Sequence, residues 1–298
     1  MTRMSDLTLC LIDRPTAPPG ESVSIVDADP LQATVLATDF GVNRGDGIFE
    51  VAGCVDGRVH ALDAHLRRFA RSASMLDLPK PNSDAYAEAV RRAIAPLCAQ
   101  RPGQEVLVKF VLTRGQEMGG TGGPAGWAIA YPCPDFTHDR SGIDVVTLDR
   151  GVRSDIMRTT PWLLGGAKTL SYAANKAALR EAKRRGADDV LFVSTDGHAL
   201  EGPSSSLIAR INGVLVTPHP DEGVLAGTTQ ADVFAYAEEV GFRTETRPVL
   251  TDELAAADAL WLTSSGRLCA PVKSLDGRPM AVDAALTAEW NDHLLARG

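Results

Sequence analysis

The chain has 298 residues, 44% hydrophobic and 23% charged, enough for one large or two medium domains. The net charge is −8, and no Lys/Arg run stands apart from a helical pattern, which argues against a nucleic-acid partner. No apolar run approaches the roughly 18–20 residues of a membrane span, the first 13 residues lack a signal-peptide core, and five scattered cysteines without CxxC spacing suit reduced thiols in a cytoplasm.

In chain order, residues 22–28 and 48–62 alternate as strands, the second turning at Asp56-Gly57. Asp63 is expected to cap a helix running to about residue 77, with Leu66, Phe69, Ala73 and Leu76 on one face. A second helix is expected over 83–99 and a strongly apolar strand over 105–113, Glu-Val-Leu-Val-Lys-Phe-Val-Leu-Thr. The glycine-rich run Gly119-Gly120-Thr121-Gly122-Gly123 lacks the Gly-Lys-Ser/Thr ending of a P-loop and reads as a connector or an active-site loop. A short strand over 127–131 precedes Tyr131-Pro132-Cys133-Pro134-Asp135, the best linker candidate. The expected domains are therefore 1–131 and 143–298, joined by a linker over 132–142.

The second half begins with a strand over 143–148. A helix over 170–185 ends in Lys183-Arg184-Arg185-Gly186. A buried strand over 189–194 and a hairpin over 207–217 follow, then a helix over 229–240. The last expected elements are a strand over 243–249, a short helix over 252–258 and a strand over 259–264. Many hairpins and few crossovers make a mixed α/β (α+β) chain in two domains. No GxGxxG marks a strand-to-helix turn in the first half, so a Rossmann dinucleotide site is not expected. The six histidines show no metal spacing.

The chemistry concentrates around Gly166-Ala167-Lys168-Thr169-Leu170-Ser171-Tyr172. A lysine set before a helix is followed, 33 residues later, by Leu200-Glu201-Gly202-Pro203-Ser204-Ser205-Ser206. That combination suits pyridoxal 5′-phosphate (PLP): the lysine amine makes a Schiff base, and the acid keeps the pyridine nitrogen protonated. A phosphate cup can be built from Thr228 and Thr229 before a helix, from Ser264 and Ser265 at a strand end, and from Arg68. Taken singly, these are also a threonine cap, a polar loop and a surface arginine.

Together these residues resemble the fold-type IV PLP enzymes, which include branched-chain aminotransferases, D-amino-acid aminotransferases and 4-amino-4-deoxychorismate lyases. The resemblance runs from about residue 39 to 277 with the motifs in family order. Gly45-Asp46-Gly47-Ile48-Phe49-Glu50 is similar to the family's Gly-Asp-Gly-x-Phe-Glu strand, and His65-Leu66-Arg67-Arg68-Phe69 to its His-Leu-x-Arg-Leu helix. The resemblance implies a homodimer in which Lys168 is the Schiff-base lysine and removes the substrate proton. It makes Glu201 the partner of the pyridine nitrogen, with Arg68, Thr228, Thr229, Ser264 and Ser265 on the phosphate side. Three departures stand out. Ser206 replaces a frequent Asn, Gln230 replaces the arginine usual in aminotransferases, and residues 116–126 carry no arginine for the substrate carboxylate. Arg44, Arg114, Arg153 and Arg267 are the candidates for that role. The resemblance points first to a lyase that converts 4-amino-4-deoxychorismate into 4-aminobenzoate and pyruvate in folate synthesis. It points second to an aminotransferase for D-amino acids or branched-chain amino acids.

Overall fold

The computed structural model describes residues 6–32, 34–117 and 122–297. Gly119, Gly120 and Thr121 of the glycine-rich run lie outside them, as do the first five residues. The chain divides into two units. The first holds Met1–Pro134, Ala167–Tyr172 and Arg297–Gly298, and the second holds Asp135–Gly166 and Ala173–Ala296.

The first unit contains, in order, β1 (Thr8–Ile12), β2 (Ile25–Ala28), α1 (Phe40–Asn43), β3 (Gly47–Val55) and β4 (Arg58–Val59). It continues with α2 (Leu62–Met75), α3 (Ser83–Gln100), β5 (Glu105–Thr113) and β6 (Ala125–Pro132). The six strands form one antiparallel sheet in the order β2-β1-β6-β5-β3-β4. Side chains alternate across a strand, so Phe110 of β5 turns to one face, where it meets Phe69 of α2 edge-on and Tyr86 of α3 at a tilt. All three rings are fully buried. The helix expected to be capped by Asp63 instead begins two residues earlier, after Ala61, which takes left-handed geometry and gives no side-chain cap. Asp63 sits in the first turn, where its charge complements the helix dipole.

The second unit contains α4 (Thr137–Ser141), β7 (Ile143–Asp149), α5 (Ile156–Thr159), α6 (Ala173–Arg184), β8 (Asp189–Val193), β9 (Ser206–Ile211) and β10 (Val214–Thr217). It ends with α7 (Thr228–Glu239), β11 (Thr244–Thr246), α8 (Thr251–Leu254), β12 (Ala259–Ser264), β13 (Leu268–Leu275), β14 (Arg278–Pro279) and α9 (Ala284–Ala296). Its mixed sheet runs β11-β10-β9-β12-β13-β7-β8, with β14 beside β13. Trp261 on β12 packs on Trp290 of α9, and its indole N–H donates to Thr287 Oγ1 at 2.8 Å. The helix expected from residue 170 starts at Ala173, because the Leu170 N–H donates to the Gly47 carbonyl at 2.8 Å and holds that residue extended. β1, β13, β14 and α9 have no counterpart among the expected elements.

Candidate active site

In the first unit, residues 167–172 run alongside β3. The Phe49 N–H donates to the Lys168 carbonyl at 3.0 Å, and the Lys168 N–H donates to Ser72 Oγ at 3.1 Å. The backbone of Lys168 is thus pinned on both sides, and its ammonium group lies 4.8 Å from the Phe49 ring centre. The Phe49 ring meets Tyr172 edge-on at 5.6 Å. The Gly-x-Gly spacing of 45–47 has a steric reason. A Cβ on Gly47 would lie 2.7 Å from the Leu112 carbonyl oxygen, and Gly45 has φ +69 with Ser171 against it.

Arg68 is buried on α2 and grips Glu50 with two groups: Nε donates to Oε1 at 2.7 Å and Nη2 to Oε2 at 2.6 Å. His65 Nδ1 meets the same Oε2 at 2.8 Å. Burial pushes the Glu50 carboxyl up, but the charge and hydrogen bonds of Arg68, with the His65 hydrogen bond, outweigh it and hold the group down to about 2. The phosphate-side candidate Arg68 is therefore fixed in orientation by a buried acid. The sequence reading assigned no role to Glu50 or His65. The available signal was a carboxylate inside an apolar strand, which demands a cationic partner.

In the second unit, Glu201 follows β8, and its backbone exchanges hydrogen bonds with Phe192 through Leu200 and its own carbonyl. Its Oε2 accepts the Leu225 N–H at 2.9 Å, and Arg150 Nη1 stands 3.7 Å from Oε1. Glu201, Ser206, Leu225, Ala226 and Gln230 line a cavity of about 100 Å³ within this unit. Next to it α7 begins. Its N-cap is Gly227, which supplies no side-chain hydrogen bond, so neither threonine is the cap. A Cβ on Gly227 would lie 2.3 Å from Ser206 Oγ, so any larger residue here would require Ser206 to move. Thr229 is 2% exposed, and its hydroxyl has no hydrogen-bond partner in the protein. A buried hydroxyl without a partner, at an uncapped helix N-terminus, is the chemistry of an anion site.

Ser264 closes β12 and its Oγ accepts the Arg267 N–H at 3.4 Å, while Ser265 follows in a turn pinned by Arg140 through the Gly266 and Arg267 carbonyls. The four arginines proposed for the substrate carboxylate all meet protein acids. Arg44 pairs with Glu117 at 2.9 Å, and Arg114 with Asp46 at 2.6 Å. Arg153 lies 3.2 Å from Asp155, and buried Arg267 donates to Asp189 at 2.6 Å. Among the described residues, no group of three or more His, Cys, Asp or Glu could hold a metal ion, and no helix is long and apolar enough to cross a membrane.

The amino-transferase class IV family model matches residues 47–275. A Mycobacterium tuberculosis protein described as a bifunctional aminodeoxychorismate lyase / D-amino acid transaminase is 38% identical over 273 residues, covering 85% of this chain and 93% of that protein. Among solved structures, a fold IV-transaminase from Curtobacterium pusillum is 52% identical with a TM-score of 0.94, covering 98% of this chain and 100% of that one. A hypothetical aminotransferase from Mycobacterium tuberculosis, solved in PLP-bound form, is 38% identical with a TM-score of 0.86 and covers 91% and 96%.

Proposed function

The chain belongs to the class IV amino-transferase family, and from that premise we propose that it is a lyase releasing 4-aminobenzoate and pyruvate from 4-amino-4-deoxychorismate. Members of this family work with PLP. When bound, the cofactor supplies an electron sink for the charge left on the amine-bearing carbon after proton loss. The buried, partnerless Thr229 hydroxyl and the glycine passage at Gly227 fit its phosphate. The observation that carries the choice of reaction is the 38% identity to the lyase/transaminase across most of both chains.

From the first unit, Lys168 provides the amine that attaches the cofactor and, once displaced, the base that takes the substrate proton. Arg68, Thr228, Thr229, Ser264 and Ser265 receive the phosphate. Glu201, its second oxygen fixed by the Leu225 N–H, keeps a proton on the ring nitrogen. Loss of the proton at the amine-bearing carbon is followed by cleavage of the bond to the enolpyruvyl oxygen. The leaving group takes up a proton and departs as pyruvate, and the ring becomes aromatic. Folate synthesis, a cytoplasmic location and a homodimer belong to the same reading. Trp162 and Leu163, 71% and 48% exposed, are the kind of adjacent apolar surface a partner copy covers.

A second reading, transamination of D-amino acids, is favoured by the other half of the same relative's description and by the transaminase at 52% identity. It uses the same proton removal and differs only in where the proton returns. The experiment is an assay of purified protein on 4-amino-4-deoxychorismate made in situ, following 4-aminobenzoate and pyruvate together. Equal release of both, falling by about 10²–10⁴-fold or more in Lys168→Ala, is the expected result. No release by protein that carries the cofactor on Lys168, together with turnover of D-alanine, would replace the lyase by the transaminase.

A further inference from the structure

In the second unit, the chain between β8 and Glu201 is held along its backbone. The Ser194 N–H donates to the His198 carbonyl at 2.9 Å, and the His198 N–H donates to Ser194 Oγ at 2.9 Å. The Ala199 N–H donates to the Val249 carbonyl at 2.8 Å. The His198 side chain reaches across to Glu222, in the short turn Pro220–Glu222. Its Nδ1 meets Glu222 Oε1 at 2.5 Å. A carboxylate only accepts, so the ring nitrogen is the donor. The Glu222 side chain is 8% exposed, and its other oxygen, Oε2, has no hydrogen-bond partner in the protein. Among the described residues, His198 is thus the group that anchors this buried acid. Three residues further along the chain, the Leu225 N–H donates to Glu201 Oε2 at 2.9 Å. Between the two contacts the Gly223 carbonyl accepts from Arg150 Nη1 at 3.3 Å, and Arg150 lies 3.7 Å from Glu201 Oε1. The stretch from Glu222 to Leu225 is therefore tied to the Glu201 strand at both of its ends.

We propose that His198 positions Glu201 against the cofactor's ring nitrogen, acting through Glu222 and the Gly223–Leu225 stretch. A buried carboxylate that loses its donor either turns out to water or stays as an unpaired charge inside the protein, and the second is costly. Loss of His198 therefore swings Glu222 outward, and the turn that carries it follows. Only Gly223 and Val224 separate that turn from Leu225, so the movement reaches the Leu225 N–H and draws it off Glu201 Oε2. The acid then loses a fixed orientation, and with it the line to the ring nitrogen. The His198 end does not yield, because its own backbone and that of Ala199 are paired. The inference rests on the reading above in taking Glu201 as the partner of that nitrogen, and it holds for either reaction. His198 is a positioning residue here, and its effect passes through Glu222.

The test compares His198→Gln and His198→Asn with wild type as PLP-loaded proteins. An asparagine amide reaches the place of Nδ1 and a glutamine amide the place of Nε2. Both variants stay polar, and only asparagine keeps the donor to Glu222. Each protein is loaded with PLP isotopically labelled at the ring nitrogen, whose NMR shift reports the proton it carries. Glu201→Gln is expected to move that shift furthest towards the unprotonated value, His198→Gln part of the way, and His198→Asn little. On 4-amino-4-deoxychorismate or D-alanine, whichever wild type turns over, kcat should fall by about tenfold in His198→Gln, the value of one hydrogen bond to a charged group. KM should change little, and His198→Asn should recover most of the loss. In a Glu201→Gln background, His198→Gln should cost nothing further, because the two act in series. Equal behaviour of the glutamine and asparagine variants would overturn the proposal, as would an undiminished loss in the Glu201→Gln background. A shift that moves in Glu201→Gln but not in His198→Gln overturns the proposal and leaves the role of Glu201 standing. A shift that moves in neither removes Glu201 from the ring nitrogen, and the proposal falls with it.

Discussion

Glu50 has no exposed surface, and it stays charged because Arg68 and His65 surround both of its oxygens. The geometry of a bidentate pair does two jobs at once: it neutralises a carboxylate in the sheet and it fixes the plane of the guanidinium. Arg68→Ala leaves that carboxylate buried with only His65 beside it, so stability should fall by about 3–5 kcal/mol. Urea unfolding of the cofactor-free protein measures this directly, and a loss below 1 kcal/mol would mean that Glu50 finds water or another partner. Lys168 and Glu201, to which the proposed function gives the chemistry, stand in short motifs that can be read directly from the sequence. The partner of Arg68 is less legible, because it stands 18 residues away on another element and only the fold brings the two together.

At the scale of elements, strongly periodic segments were the readable ones. The expected strand over 105–113 matches β5, and the expected helix over 83–99 differs from α3 by one residue. Short strands such as β1, with five residues, carry too little pattern to be seen. The helix after Lys168 begins three residues later than expected because the backbone of Leu170 is committed to Gly47; its apolar side chain fits either pattern. The start of α7 is more consequential. Gly227 is the cap, which leaves the Thr229 hydroxyl buried and without a partner. Replacing Thr229 by Val removes no hydrogen bond of the protein, so the apo protein should keep its urea midpoint. PLP affinity should drop by about tenfold, the value of one hydrogen bond to a charged group, as read by fluorescence titration. Unchanged affinity would remove Thr229 from the phosphate cup.

For the whole molecule, acid is the condition to examine. Burial, aided by the charge of Arg297, pushes the His60 imidazole down to about 4 from an ordinary 6.5. The unfolded chain takes that proton first, so stability falls as pH drops from 6.5 towards 4, by about 3 kcal/mol in all. Buried His65 is shifted in the same direction by its desolvation. Glu50, depressed from 4.5 to about 2, extends the loss below pH 4.5. Stability should therefore rise with pH up to about 6.5 and level off above it. Urea midpoints between pH 4 and 7.5 test this. His60→Leu should flatten the slope above pH 4.5, and an unaltered slope would show that His60 takes up its proton at the same pH in the folded and unfolded chains.

The attachment of residues 167–172 to the first unit also limits how this protein can be rebuilt. A chimaera that takes residues 1–134 from a relative inherits that relative's β3 but keeps its own Lys168 strip, and Gly47 leaves no slack for a mismatched Leu170. Recombination must therefore move β3 and residues 167–172 together. A single crossover between residues 134 and 167 would scramble the very contact that positions the lysine.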